Sequence, residues 1–164
     1  MQLVKYPSTL DIGASLLIAF MLNLFLTGVF AFLGFVFPTN KILPQPYYKV
    51  ERPKRLKYWY SMLGVKYFKV FLLVFFWGTK KNRTTYFGGS RKDFSNLIYQ
   101  SKQSEFGHLG ALVVIGLSTL ILLFYGYTLL ALFSTFINLI GNFYPIPLQR
   151  MHRMRIDRIQ KIKS

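Results

Sequence analysis

Long apolar stretches alternate with short basic ones along this chain, and the length of each apolar stretch sets what it can do. From Leu10 to Phe37 only Asp11, Ser15, Asn23 and Thr27 interrupt an apolar run of about 28 residues. At roughly 1.5 Å of rise per residue, that run exceeds a hydrocarbon core of about 30 Å. It predicts a transmembrane helix over 10–37, with Pro7-Ser8-Thr9 as its start signal and Pro38-Thr39-Asn40 as its end. A cleaved signal peptide is the rival reading, but Lys5 is all its basic region would contain, and the run is far longer than an h-region of about 7 to 15 residues. Asp11 falls at the interface, and Asn23, near mid-span, is placed to bond to another helix.

Pro44, Pro46 and Pro53 predict an extended connection after this helix. The apolar run Val70 to Trp77 covers only eight residues, too few to span as a helix. The segment 58–77 therefore reads as interfacial or re-entrant. One tilted helix from Tyr58 to Trp77 is the alternative, and it would bury Lys66 and Lys69 in lipid. Residues 80–107 read as a loop and helix, with Gly88-Gly89-Ser90 as a turn and Phe94, Leu97 and Ile98 on one face. The apolar block 109–143 would make a single helix of about 50 Å, too long for one crossing. Phe124-Tyr-Gly-Tyr-Thr128 divides it near the middle. The block thus predicts a transmembrane hairpin, and after it comes a basic tail over 145–164, where Pro145 and Pro147 break the helix. The pattern as a whole predicts an all-α integral membrane protein, a single membrane domain over 1–164. It has one N-terminal transmembrane helix, a short re-entrant or interfacial segment and a C-terminal helical hairpin.

Composition agrees: 52% of the 164 residues are apolar and 18% aromatic, well above a soluble domain. Charge adds an orientation. Lys and Arg number 21 against 5 Asp and Glu, a net charge of +16, and the positive-inside rule puts the basic clusters at 41–69, 80–92 and 150–163 in the cytoplasm. The expectation is a multi-pass protein of the inner cell membrane. Tyr47, Tyr48, Tyr58, Trp59 and Tyr60 lie beside these cations, as in a lipid-surface anchor at head-group depth. The basic residues flank apolar spans instead of forming a separate module, so no nucleic-acid partner is expected. The chain has no cysteine, which excludes disulfides, thiol nucleophiles and thiolate metal sites.

Candidate chemistry sits at the two ends of the hairpin, which a return across the bilayer brings to one side of the membrane. Glu105 and His108 are spaced i, i+3 and share a helix face. Histidine takes a proton near neutral pH, and a neighbouring carboxylate would orient it. The plain alternative is a polar pair at a helix entry. A di-iron carboxylate site needs two Glu-x-x-His motifs and further glutamates, so no metal is expected. Arg150, Arg153 and Arg155 suit phosphate groups through their forked donors. Alternatively they are a positive-inside stop, which leaves Asn142 and Gln149 beside them unexplained.

Glu105-x-x-His108, followed after the hydrophobic block by Asn142-x-Tyr144-Pro145 and Gln149-Arg150-x-x-Arg153-x-Arg155, resembles the glycosyl-4,4'-diaponeurosporenoate acyltransferase family of small bacterial membrane proteins. Val65-Lys66-Tyr67-Phe68-Lys69 fits an upstream motif of that family, with Phe68 in place of a tryptophan. Met151, His152 and Met154 stand where the family has tyrosine, asparagine and proline. The resemblance covers about residues 58 to 155. It implies transfer of a fatty acyl group, from acyl-CoA or an acyl carrier protein, to a sugar hydroxyl of a carotenoid glycolipid, with no further cofactor. In that scheme His108 is the general base and Glu105 orients it. Lys69, Arg150, Arg153 and Arg155 hold the anionic part of the donor, and Asn142 and Gln149 position acceptor or thioester carbonyl. Membrane lipids, the glycolipid acceptor and the acyl donor are the implied partners. The competing class is a non-catalytic subunit that packs on a larger membrane complex or organises lipid.

Overall fold

The computed structural model describes residues 10–75 and 91–162. Among these residues the structure is all helix and connection: α1 Ile12–Val36, a 3-10 turn Thr39–Lys41, α2 Gln45–Tyr48, α3 Pro53–Met62, α4 Val65–Phe75, α5 Arg91–Phe124, α6 Thr128–Asn138, a π-helical turn Leu139–Phe143, and α7 Pro145–Ile162. They form two compact units, one of Met1–Val36 with Gly107–Pro145, the other of Phe37–Phe106 with Ile146–Ser164. The Gly88-Gly89-Ser90 turn and the rest of 80–90 lie outside the described residues.

In the first unit, α1 begins where its sequence offers a cap. Asp11 Oδ1 accepts the Ala14 amide at 2.7 Å, satisfying a first-turn N–H that has no partner inside the helix. Asp11 thus caps α1, and Pro7-Ser8-Thr9 lie outside the described residues. α1 buries Ser15, Ala19, Asn23 and Gly34, and α6 answers with Leu130, Ala131, Ser134 and Asn138. Ser15, Ala19 and Asn23 recur every fourth residue, as do Leu130, Ser134 and Asn138, and all of these but Leu130 are small or polar, so the helices approach closely and bond across the gap. The residue expected to bond across does so: Asn23 Nδ2 donates to Ser134 Oγ at 2.9 Å. Their outer faces, including Phe25, Phe35, Leu132 and Phe136, are apolar and exposed. Polar inside and apolar outside is the arrangement that suits lipid. Among the described residues three helical stretches, Ile12–Val36, Phe94–Phe124 and Thr128–Gln160, are long and apolar enough to cross a membrane, which fits a multi-pass membrane protein.

α5 ends at Phe124, and Gly126 takes φ +84° before α6 starts at Thr128. Only glycine adopts that conformation without strain. Asn138 Nδ2 donates to the Leu112 carbonyl at 3.1 Å, so α6 runs back along α5. At its other end α5 differs from the expectation of a cytoplasmic helix followed by a separate span. It is one helix of 34 residues, because neither a proline nor a left-handed residue lies between Glu105 and Leu109.

In the second unit, the predicted extended connection over 38–53 is instead partly helical. Pro46 and Pro53 occupy the first turns of α2 and α3, where a missing N–H costs nothing and the fixed φ suits the helix. Gly64, at φ +70°, separates α3 from α4, so Tyr58 to Trp77 is not one helix; Phe76 and Trp77 themselves lie outside the described residues. Pro145 likewise does not end a helix but opens α7, reached through the π-helical turn. The buried residues of this unit include Tyr48, Tyr60, Val65, Phe94, Ser101, Glu105, Leu148, Arg153 and Ile156.

Candidate functional site

His108 lies in the first unit, on the face of α5 that meets the asparagines. Its Nδ1 stands 3.2 Å from Asn142 Oδ1. Which atom donates is set by the chain of bonds behind that contact. The Leu112 carbonyl can only accept, so Asn138 turns its amide nitrogen toward it. Asn138 Oδ1 then accepts from Asn142 Nδ2 at 2.9 Å, which leaves Asn142 Oδ1 facing the histidine. An amide oxygen accepts only, so the neutral imidazole carries its proton on Nδ1 and its lone pair on Nε2. Thr27 Oγ1 closes the network by accepting from Asn142 Nδ2 at 3.0 Å. Asn142 is 1% exposed, so water does not compete for these bonds. The partner of His108 is therefore Asn142, where spacing along the helix points to Glu105.

Glu105 belongs to the second unit, and its side chain is fully buried. Arg150 Nε donates to its Oε1 at 2.7 Å, and Arg153 Nη2 donates to its Oε2. Among the described residues these are the ion pairs, and both fall on this one carboxylate. Two guanidinium groups around one acid leave a residual positive charge. Gln149 joins the helices that carry them: its Nε2 donates to Ser104 Oγ at 3.0 Å, and its carbonyl accepts from Ser101 Oγ at 3.2 Å. Arg153 Nη1 donates to the same Ser101 hydroxyl at 2.8 Å. Lys69 is half-buried on α4 and Arg155 is exposed on α7.

The aromatic residues read as a lipid anchor contribute here instead. The Arg150 guanidinium lies 4.4 Å from the Tyr47 ring centroid and that of Arg153 5.3 Å from Tyr48, distances at which a cation is held by the ring face. Burial, and then the Glu105 carboxylate, push the Tyr48 hydroxyl up to about 12. The same two causes raise Tyr47, and burial raises Tyr60. Tyr58 and Trp59 stay exposed.

Sequence reasoning singled out Glu105, His108, Asn142, Gln149, Arg150 and Arg153, and the structure gathers these into two networks, one in each unit. It missed Asn138 and Thr27, although Ser134, Asn138 and Asn142 recur every fourth residue in an apolar helix, a readable polar stripe. It also missed Tyr47 and Tyr48, whose composition alone does not tell a cation's platform from a lipid's. No group of His, Asp and Glu that would hold a metal occurs among the described residues.

A family model described as glycosyl-4,4'-diaponeurosporenoate acyltransferase matches residues 44–162. The match begins upstream of the expected residue 58 and so takes in Tyr47 and Tyr48. No curated protein and no solved structure matches the chain.

Proposed function

The chain belongs to the glycosyl-4,4'-diaponeurosporenoate acyltransferase family, and from that premise we propose that it moves a fatty acyl group from a thioester donor to a sugar hydroxyl of a carotenoid glycoside in the membrane. The observation that carries this reading is the bond series from the Leu112 carbonyl to His108, because it puts the imidazole proton on Nδ1 and so the lone pair on Nε2. In the reaction, Nε2 takes the proton of the attacking hydroxyl as its oxygen bonds to the thioester carbonyl carbon. The tetrahedral intermediate then expels the thiolate, the C–S bond breaks, and the proton held on Nε2 passes to sulfur. Ester and free thiol are the products. No metal or redox step is needed, since the thioester is already activated.

Asn142 and Asn138 are positioning residues in this scheme. Glu105 acts through the arginines: it holds Arg150 and Arg153, which with Lys69 and Arg155 attract the anionic part of the donor, acyl-CoA or an acyl carrier protein. Gln149 fixes the helix that presents them. Mass spectrometry of lipids from cells expressing His108→Ala is the test. The variant is expected to insert and accumulate normally while acyl transfer falls about 100- to 10,000-fold, the usual contribution of a positioned base. Normal acylation by a well-expressed His108→Ala variant would overturn the assignment.

A further inference from the structure

α3 and α4 carry apolar side chains that the described chain leaves exposed. On α4, Tyr67, Val70, Phe71 and Val74 recur at i, i+3, i+4 and i+7, the spacing of one helix face, and are 78%, 51%, 45% and 67% exposed. On α3, Tyr58, Trp59 and Met62 are exposed as well. All seven lie within residues 58–74, on either side of the turn at Gly64. Single exposed hydrophobics are ordinary, but a concentration of this kind marks an interaction surface.

The charge around these side chains selects what covers them. Residues 52–75 contain six Lys and Arg and no Asp or Glu, and Lys54, Arg55, Lys57 and Lys66 are exposed among the apolar positions. Both ion pairs among the described residues belong to Arg150 and Arg153, so these four cations face no carboxylate. A bilayer is within reach, because α1 is long and apolar enough to cross one and ends at Val36, sixteen residues before the start of α3 at Pro53. α4 itself is too short to cross: its eleven residues rise about 16 Å against a hydrocarbon core of about 30 Å. A short helix with one apolar side, bordered by tyrosine, tryptophan and lysine, lies along the interface. We propose that α3 and α4 lie in the plane of the membrane, with their exposed apolar side chains in the upper acyl region of one leaflet and their cations among anionic phospholipid head groups. The attraction is diffuse and needs no anion pocket, since the surface potential of the leaflet acts on every cation within a Debye length. It holds the unit that contains Glu105 and Arg150 at the membrane surface, whatever reaction that unit serves.

The chain has two tryptophans, so Trp77→Phe leaves Trp59 as the single reporter in the full-length protein, reconstituted in nanodiscs. Trp59 emission is expected to lie to the blue of a water-exposed indole and to resist aqueous acrylamide. Phosphatidylcholine brominated near the head group should quench it more than lipid brominated near the chain end. Replacing part of the phosphatidylcholine by phosphatidylglycerol increases the shallow quenching. That gain is lost at high salt, and in a variant with Lys54, Arg55, Lys57 and Lys66 all changed to glutamine. Tyr67→Glu alters a side chain that is 78% exposed, so it leaves the thermal midpoint in detergent unchanged while opening Trp59 to acrylamide. Quenching by acrylamide and by neither bromolipid would put these helices in water, and quenching by none of the three would put a protein over them; either result overturns the proposal. Strongest quenching by the deep bromines would overturn the in-plane position, and equal quenching in the two lipid mixtures would overturn the part given to anionic lipid. None of these readouts uses acyl transfer, so their failure and the failure of the acyl-transfer reading are separate results.

Discussion

At the scale of single residues, the assignments that matter are hydrogen-bond directions. His108 is oriented by a backbone carbonyl two asparagines away, so the orientation is testable without touching the histidine. Asn138→Leu removes the link to the Leu112 carbonyl, and Asn142 is then free to turn its nitrogen toward His108. The expected result is a fall of about tenfold in kcat with KM for the donor unchanged, together with a mixture of imidazole tautomers in nitrogen NMR. A merely structural asparagine would change neither tautomer nor KM-to-kcat pattern. Glu105 differs, because removing it strands two cations. Glu105→Ala is expected to destabilise the protein by about 3–5 kcal/mol, as loss of one partner of a buried ion pair does, seen as lost folded protein in detergent melts. Equal yield and stability of the variant would contradict that. Tyr48 gives a pH signature. Its proton is held more tightly in the fold, where its value is about 12 against an ordinary 10.0. Stability is therefore independent of this group's titration below pH 10 and falls as pH rises from there toward 12, because the unfolded chain ionises first. Denaturation midpoints should hold level up to pH 10 and then fall, and Tyr48→Phe should fall less.

At the scale of elements, close approach decides which glycines count. A Cβ on Gly107 would stand 3.2 Å from the Phe30 carbonyl oxygen, and one on Gly110 would run into the Phe30 ring. α5 packs on α1 at these two positions. At Gly28 and Gly116 a Cβ would meet nothing within 4 Å. Gly110→Val is thus expected to lower the melting temperature of the purified protein, while Gly28→Ala leaves it unchanged or raises stability by up to about 1 kcal/mol through helix propensity. Comparable melting of the two variants would show that α1 and α5 do not meet as described. The turn at Phe124 to Thr128 was legible in sequence because a glycine between two interfacial tyrosines interrupts an apolar block. The prolines were not: the residue that ends a helix also suits the first turn of the next, and Pro46, Pro53 and Pro145 all take the second role. Which role a proline takes depends on whether the segment after it finds a packing partner, and local sequence does not carry that.

At the scale of the whole molecule, the sequence by itself determined the class. Run lengths, a 52% apolar composition and a charge of +16 point to a helical membrane protein, because the transfer of a segment into lipid is close to a sum over its own residues. It also singled out Glu105, His108, Asn142 and Arg150, since ionisable and amide groups beside apolar spans are too costly to be incidental. Only the tertiary structure decided who pairs with whom. Helix spacing placed Glu105 beside His108, yet the partners are residues 45 and 34 positions away in sequence, and Thr27 reaches Asn142 across 115. Burial of Tyr48 was equally invisible. The physical reason is that hydrophobicity accumulates along the chain, whereas a hydrogen bond needs two groups within about 3 Å, and only packing brings such distant residues that close.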